Sequence, residues 1–203
     1  MAPPEAVVFD LGKVLVDFDY SIAARRIAAR AEMGAPDIQA FIDHSPLLFH
    51  FETGRMTRDE FFAEVRSATG FQGTIQEFAE FFSDIFTPIE PMVRLHSELR
   101  RAGIPTFIFS NTNELAVGHI RSRFPFFRDF DGYILSYEHG SMKPDDPLYD
   151  VVEAKTGRRG PALLYFDDRP ENVQTGSRRA WRAVQHISPD ESRKAAQHAG
   201  LLK

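Results

Sequence analysis

Five short apolar runs recur along the chain, and most of them are continuous rather than alternating. They span residues 6–9, 105–109, 132–135, 162–166 and 181–187. A short continuous apolar run is typical of a strand that is covered on both faces, as in a parallel sheet. Helix signals accompany the later runs. Pro91 is typical of the first turn of a helix, and Gly103 is expected to end that helix. Ser188–Glu191 is a capping-box pattern, which predicts the start of another helix. This alternation predicts an α/β fold with a doubly wound, mostly parallel sheet.

The long gap between the first and second runs has a different pattern. Residues 20–90 show helical spacing and no convincing strand, and capping boxes at Thr57–Glu60 and Thr74–Glu77 each precede an apolar-periodic segment. Ten of the 19 phenylalanines lie in this gap, which favours a helical bundle with its own aromatic core or a lid with an apolar underside. The predicted division is an α/β core of residues 1–16 and 91–203 and a helical cap of residues 17–90.

Composition and charge limit the classes of function without choosing one. The chain has 203 residues, with 24 basic and 29 acidic side chains and no basic stripe, so we expect no nucleic-acid partner. The absence of cysteine excludes disulfides, thiolate nucleophiles and cysteine zinc sites. No apolar run approaches the roughly 18 residues of a membrane span, and the first residues lack a signal-peptide pattern. We therefore expect a cytoplasmic protein without membrane contact, either a monomer or a weak homodimer.

Polar side chains follow the apolar runs at the points where the strands are predicted to end. They are Asp10, Ser110, Asn111, Asp167 and Asp168, with Lys143 between the third and fourth runs. Ligands of open parallel sheets bind beyond the carboxyl ends of the strands, so these groups are expected to share one site.

Three carboxylates gathered in one site would repel one another, and a hard divalent cation resolves that repulsion. Oxygen ligands and a phosphate-bearing substrate indicate Mg²⁺. Asp10 can then attack phosphorus and form an aspartyl phosphate, while Ser110, the Asn111 N–H and Lys143 hold the phosphate oxygens. The pattern therefore predicts a Mg²⁺-dependent hydrolase of a small phosphorylated metabolite, in which Asp10 and Lys143 are catalytic.

At the same segments the chain resembles the haloacid dehalogenase-like hydrolase superfamily. The matching segments are Phe9–Val14, Ile108–Asn111, Lys143–Pro144 and Phe166–Asn172. The resemblance spans nearly the whole chain and is greatest for a branch that contains a bacterial alpha-D-glucose-1-phosphate phosphatase. It implies a set of Mg²⁺ ligands, which are Asp10, the Gly12 carbonyl and Asp168, with Asp167 in support. It also implies phosphate-binding residues, which are Ser110, Asn111 and Lys143.

The chain departs from the family pattern at Gly12, where most phosphatases of the family carry a second Asp. That Asp protonates the leaving group and then activates water, a role worth about a hundredfold or more in rate. Three explanations stay open. The substrate has a good leaving group, as in a sugar 1-phosphate; another residue supplies the acid, the candidates being Asp17, Asp19, His50 and Glu52; or the activity is weak or absent.

Two other functions also stay open. A metal-independent 2-haloacid dehalogenase attacks carbon with an Asp and lacks the second Asp, but it usually carries Tyr at the position of Gly12. The Asp167–Asp168 pair would have little use in a dehalogenase site, because such a site binds no cation. A catalytically weak binding or regulatory protein of the same fold is disfavoured, since it has no need of Asp10, Lys143 and Asp168 together.

Overall fold

The computed structural model describes residues 2–203, whose strands form two sheets. The larger sheet contains β1 (Ala6–Phe9), β4 (Thr106–Ser110), β5 (Gly132–Leu135), β6 (Leu163–Asp167) and β7 (Arg182–Gln185). Its order is β5-β4-β1-β6-β7, and every neighbouring pair is parallel. The smaller sheet pairs β2 (Val16–Phe18) with β3 (Phe86–Pro88) antiparallel. The prediction of an α/β fold with a mostly parallel sheet is confirmed.

Five helices fill the chain between β2 and β3, and together they are called the helical insert below. They are α1 (Tyr20–Ala28), α2 (Ala35–His44), α3 (Pro46–Glu52), α4 (Arg58–Thr69) and α5 (Ile75–Ser83). The later helices are α6 (Glu90–Arg101), α7 (Glu114–Arg123), α8 (Ser136–His139), α9 (Asp146–Thr156), α10 (Pro170–Arg178) and α11 (Pro189–His198). Both predicted capping boxes of the insert form, at the start of α4 and of α5. Among the helices of residues 2–203, none combines the length and apolar character that a membrane crossing needs.

The strand β3 corrects the expectation that residues 20–90 hold no strand. Its three residues are too few to show a period in the sequence, and Pro88 argues against a strand because it lacks an N–H. Pairing with β2 forms it nonetheless, so the chain enters and leaves the insert side by side. The division into a core of residues 1–16 and 91–203 and a cap of residues 17–90 stays a prediction.

The parallel sheet is covered on both faces, which explains why its strands are apolar throughout. In β1, Val7 and Phe9 pack into a cluster with residues of α6, α7 and α11, whereas Ala6 and Val8 pack into a second cluster with residues of α9. Alternate side chains of a strand point to opposite faces, so a strand between two helical layers has no face left for polar groups. The polar groups are therefore confined to the strand ends.

The helical insert has an aromatic core of its own. Its buried members include six phenylalanines, which are Phe51, Phe61, Phe62, Phe71, Phe78 and Phe82. Aromatic residues bury a large apolar area each, so this cluster allows a short run of helices to pack stably. Of the two interpretations of the phenylalanine-rich segment, the bundle with its own core accounts for these six.

Replacing Phe61 by Ala should lower the free energy of unfolding by about 3–5 kcal/mol, because a large buried ring leaves a cavity. The Phe61 ring stacks on Phe51 with centroids 4.5 Å apart and meets Phe82 at 5.3 Å. Urea unfolding followed by circular dichroism measures the loss. Phe49→Ala is the matched control, since Phe49 is 46% exposed and its loss should cost about 1 kcal/mol or less. Equal losses in the two variants would contradict the prediction.

Candidate active site

The polar groups predicted to share a site meet at the carboxyl edge of the parallel sheet. β1 lies between β4 and β6, so the residues that follow these three strands become neighbours. A cavity of about 250 Å³ opens at this edge. Its lining includes six of the predicted site residues, which are Asp10, Gly12, Ser110, Asn111, Lys143 and Asp168. Asp167 lies outside the lining and is completely buried.

The Lys143 ammonium is buried between two carboxylates. It lies 2.9 Å from Asp10 Oδ1 and 2.6 Å from Asp167 Oδ2, and it donates a third hydrogen bond of 2.9 Å to the Phe109 carbonyl. Burial alone would lower the pKa of Lys143. The two carboxylates raise this pKa by more than burial lowers it, so the net shift is upward and the amine stays charged. Its three N–H groups all have protein partners, and a contact with phosphate stays a prediction.

Asn111 holds the loop that carries Lys143. Its side-chain Nδ2 donates to the Lys143 carbonyl at 2.9 Å, and its Oδ1 accepts from the Lys143 N–H at 2.7 Å. The sequence indicated only the backbone N–H of Asn111, as a phosphate donor. The side-chain role was missed because its partner lies 32 residues away and no local pattern links the two.

The Asp167 carboxylate is saturated with hydrogen bonds from the protein. Oδ2 accepts from Lys143 and from the Tyr165 hydroxyl at 2.5 Å, and Oδ1 accepts from the Arg169 N–H and from Asn172 Nδ2, both at 2.9 Å. Burial raises the pKa of Asp167, but Lys143 and these hydrogen bonds outweigh it, so the net shift is downward. Asp167 is therefore a fixed negative charge beneath the cavity that keeps Lys143 in place.

Asp10 and Asp168 have oxygens that accept no hydrogen bond within residues 2–203. Leu11 N and Lys143 both bind Asp10 Oδ1, and Oδ2 accepts no hydrogen bond from the described residues. The Asp168 carboxylate likewise accepts none from another described residue. Carboxylate oxygens of Asp10, Asp167 and Asp168 lie within 4.8 Å of one another.

The electrostatics of this cluster fit a divalent cation. Burial raises the pKa of Asp10, Lys143 lowers it, and the neighbouring Asp167 raises it again, with a net upward shift. Burial and the charge of Asp167 also raise the pKa of Asp168. Burial is the larger cause of both shifts and the neighbouring carboxylate adds to it; a hard cation with oxygen ligands would stabilise the charged form of both groups. The carboxylates of Asp10 and Asp168 line the cavity with free oxygens, and the Gly12 carbonyl stays a predicted ligand.

The space next to Gly12 is occupied by an aromatic ring. A Cβ at Gly12 would lie 2.8 Å from Phe18 Cε1, which is closer than carbon atoms approach. Lys13 keeps Phe18 there, since its ammonium donates to the Phe18 carbonyl at 2.9 Å and lies 4.7 Å from the ring centroid. Any side chain at position 12, an Asp included, would require this ring to move.

Of the four substitute acids considered from the sequence, the structure brings only Glu52 to the cavity. Asp17 instead pairs with Lys13 at 2.5 Å, and Asp19 caps α1 by accepting from the Ser21 N–H at 2.8 Å. His50 packs against the Phe49 ring and is absent from the lining.

Gly54, just beyond α3, allows the insert to pack closely on the α/β core. Its φ is +65°, and a Cβ there would lie 2.1 Å from the Tyr137 carbonyl oxygen of α8. A residue with a side chain would be strained by its backbone conformation and would also collide with α8. This close approach sets the position of the end of α3, and thus of Glu52, against the cavity.

The family model for haloacid dehalogenase-like hydrolases matches residues 4–178. D-ribitol-5-phosphate phosphatase of Bacteroides thetaiotaomicron is 24% identical over 188 residues, which cover 88% of this chain and 90% of that protein. A HAD family enzyme of the same bacterium, solved with magnesium and inorganic phosphate, superposes with a TM-score of 0.78 at 20% identity, over 90% of this chain and 93% of that one. L-2-haloacid dehalogenase of Xanthobacter autotrophicus superposes with a TM-score of 0.62 at 19% identity, over 88% of this chain and 75% of that one.

Proposed function

The chain belongs to the haloacid dehalogenase-like hydrolase family, and we propose that it is a Mg²⁺-dependent phosphatase of a small sugar or polyol phosphate. The observation that carries the proposal is the carboxylate cluster: three carboxylates have oxygens within 4.8 Å of one another, and the Lys143 ammonium contacts only two of them, Asp10 and Asp167. The similarity to a D-ribitol-5-phosphate phosphatase supports the substrate class. The structural neighbour solved with magnesium and phosphate supports Mg²⁺ as the cation. Mg²⁺ prefers oxygen ligands, and Asp10 and Asp168 have free carboxylate oxygens.

In this proposal Asp10 is the nucleophile. Leu11 N and Lys143 hold its Oδ1, so the carboxylate is fixed in orientation before substrate arrives, and such positioning is a large part of the catalysis of phosphoryl transfer. The Ser110 hydroxyl and the Asn111 N–H, both on the cavity wall, bind phosphate oxygens. Asp10, Asp168 and the Gly12 carbonyl would hold Mg²⁺, which would neutralise charge on the carboxylates and on the phosphate.

The helical insert covers the cavity in this proposal and acts as the cap predicted for residues 17–90. Tyr20, Leu48 and Glu52 of the insert line the same cavity as the polar groups at the strand ends. A substrate bound there therefore contacts both parts of the chain. We infer that the insert opens to admit substrate and closes to exclude water during the reaction.

The proposal predicts phosphate release from small phosphate esters in Mg²⁺ and none in excess EDTA, with activity restored when Mg²⁺ is added back. The panel contains sugar 1-phosphates, polyol 5-phosphates and nucleotides, and a colorimetric phosphate assay measures turnover. Preference for the sugar 1-phosphates would favour a good leaving group, whereas equal use of primary alkyl phosphates would require an acid in the site. Activity that persists in EDTA would contradict the metal-dependent mechanism.

A parallel assay with 2-haloacids tests the dehalogenase alternative, with halide release as its signal. We expect none, because a site for attack at carbon has no use for the surplus carboxylate at Asp168. Halide release without metal, together with no phosphate release, would replace the proposed function by this alternative. Folded protein inactive in both assays would favour a binding or regulatory role.

A further inference from the structure

An alkyl phosphate needs an acid as well as a nucleophile, because the departing alkoxide is a poor leaving group until it gains a proton. The carboxyl groups on the cavity wall are those of Asp10, Glu52 and Asp168. Asp10 forms the bond to phosphorus, and Asp168 has the free oxygens that suit the cation. Asp167 is outside the wall and already accepts four hydrogen bonds. Glu52 is the remaining carboxyl group that can bring a proton into the cavity.

We propose that Glu52, at the end of α3 in the helical insert, is the acid that protonates the leaving oxygen, an inference that rests on the proposed phosphatase function. As the bond between phosphorus and the leaving oxygen breaks and the bond to Asp10 forms, the Glu52 proton passes to the departing oxygen. The resulting Glu52 carboxylate takes a proton from the water that attacks the aspartyl phosphate. That step frees Asp10 and phosphate and returns Glu52 to its acid form, so the cycle balances.

The surroundings of Glu52 suit this role. It is only partly exposed, and it shares the cavity wall with Tyr20 of α1, Asn113 and Arg169, whose polar groups interact with it electrostatically. Burial raises the pKa of Glu52 to about 7, with Asn113 and Arg169 opposing the shift. A carboxyl group with such a pKa has both its acid and its base form populated near neutral pH, which is the condition for efficient proton transfer in both directions.

The Asn113 amide has a donor without a hydrogen-bond partner among the described residues. Its Oδ1 caps α7 by accepting a hydrogen bond from the Ala116 N–H at 3.0 Å. Its Nδ2 is buried and donates no hydrogen bond to the described residues. Nδ2 is nonetheless near enough to Glu52 to lower its pKa. A buried unpaired donor is costly, and the Glu52 carboxylate that forms after proton transfer gives it an acceptor.

The packing at Gly12 and Gly54 favours an acid that comes from the insert. The Phe18 ring occupies the place where a side chain at position 12 would begin, 2.8 Å from a Cβ there. The contact of Gly54 with the Tyr137 carbonyl sets the end of α3, with Glu52, against α8 at the cavity. The acid therefore enters the site only when the insert is packed on the core, which ties proton transfer to the enclosure of substrate.

Glu52→Gln tests the inference, because the amide keeps the size and hydrogen-bonding capacity of the side chain but has no acidic proton. The measured quantity is kcat/KM, which reports the steps up to release of the leaving group. On a primary alkyl phosphate it should fall by about 100-fold or more. On p-nitrophenyl phosphate, whose leaving group departs without a proton, it should change only a few-fold. Glu64→Gln, at an exposed carboxyl of α4, is the matched control and should leave both values unchanged.

The pH profile adds a readout that a structural role would not change. The acid form of Glu52 is the active one for bond cleavage, so wild-type kcat/KM on the alkyl phosphate should fall as pH rises through about 7. This alkaline limb should be missing in Glu52→Gln and present in Glu64→Gln.

The possible failures of the inference and of the proposed function are distinguishable. Equal losses on the alkyl and aryl substrates, or an alkaline limb that survives in Glu52→Gln, would overturn the role of Glu52 as acid and leave a binding or packing role. Folded wild-type protein with no Mg²⁺-dependent phosphatase activity would overturn the proposed function, and the acid with it.

Discussion

Asp10→Asn should lower kcat by about 10⁴-fold or more, as loss of a covalent nucleophile does in other hydrolases. The amide has no carboxylate oxygen to attack phosphorus and cannot form an acyl phosphate. It also removes one of the three negative charges that lie within reach of a single cation. The variant should still fold, since Asn has the shape of Asp and one repulsive charge is gone from a buried cluster. Phosphate release in Mg²⁺ measures the loss, and circular dichroism checks the fold.

The covalent intermediate supplies a second measurement for Asp10. Rapid acid quenching of the wild-type enzyme with substrate, followed by intact-protein mass spectrometry, should show the added mass of one phosphoryl group. Peptide mapping should place it on Asp10, and Asp10→Asn should show none. Asp190→Asn, at an exposed carboxyl in the first turn of α11, is the control and should behave as wild type. Turnover that survives in Asp10→Asn would mean that another group attacks phosphorus.

Lys143→Met should reduce both activity and stability. Met fills the volume of the side chain but leaves the Asp10 and Asp167 carboxylates buried without their shared ammonium. Removing one partner of a buried ion pair costs about 3–5 kcal/mol, because the remaining charge is uncompensated. The loss of orientation of Asp10 should lower kcat by about 10²- to 10³-fold. Lys155→Met, at an exposed lysine of α9, should change the free energy of unfolding by about 1 kcal/mol or less.

The pH dependence of stability separates a buried-charge effect from a packing effect in Lys143→Met. In the wild type the pKa of Asp167 is lowered in the folded state, so its contribution to stability is lost as pH falls through that pKa. The pKa of Asp10 is already raised with Lys143 present, and without the ammonium we expect burial to raise the folded-state pKa of both carboxylates further. Such groups favour the folded state at low pH, so the deficit of the variant should shrink as pH falls from 8 toward 5. A deficit that is the same at both pH values would contradict the buried-charge explanation.

Local patterns predicted much of the fold and six of the residues that line one cavity at the edge of the sheet. The strands of the parallel sheet are covered on both faces, so burial itself makes them recognisable as continuous apolar runs. The side chains that follow β1, β4 and β6 could be assigned to one site because parallel strands place their carboxyl ends at one edge. The capping boxes at Thr57 and Thr74 could be found because their hydrogen bonds lie within one turn of helix.

The contacts that were missed depend on tertiary geometry. The pairing of Asn111 with the Lys143 backbone joins residues that are 32 positions apart, and the Phe18 ring beside Gly12 depends on the path of the loop after β1. One signal was available: Tyr165 and Asp167 are two residues apart in β6 and so lie on the same face, which makes their hydrogen bond foreseeable. No comparable rule singles out Glu52 from the other acids of the chain.

The ribbon formed by β2 and β3 has a consequence for how proteins of this architecture can diversify. Because the two strands pair antiparallel, the chain leaves the core and returns to it at points about 5 Å apart, the ordinary spacing of paired strands. Everything between these points can be exchanged for another segment, or shortened to a tight turn, without altering the backbone that presents Asp10. Nucleophile and specificity can thus be inherited separately. If the acid is Glu52, such an exchange would replace the proton donor together with the substrate preference.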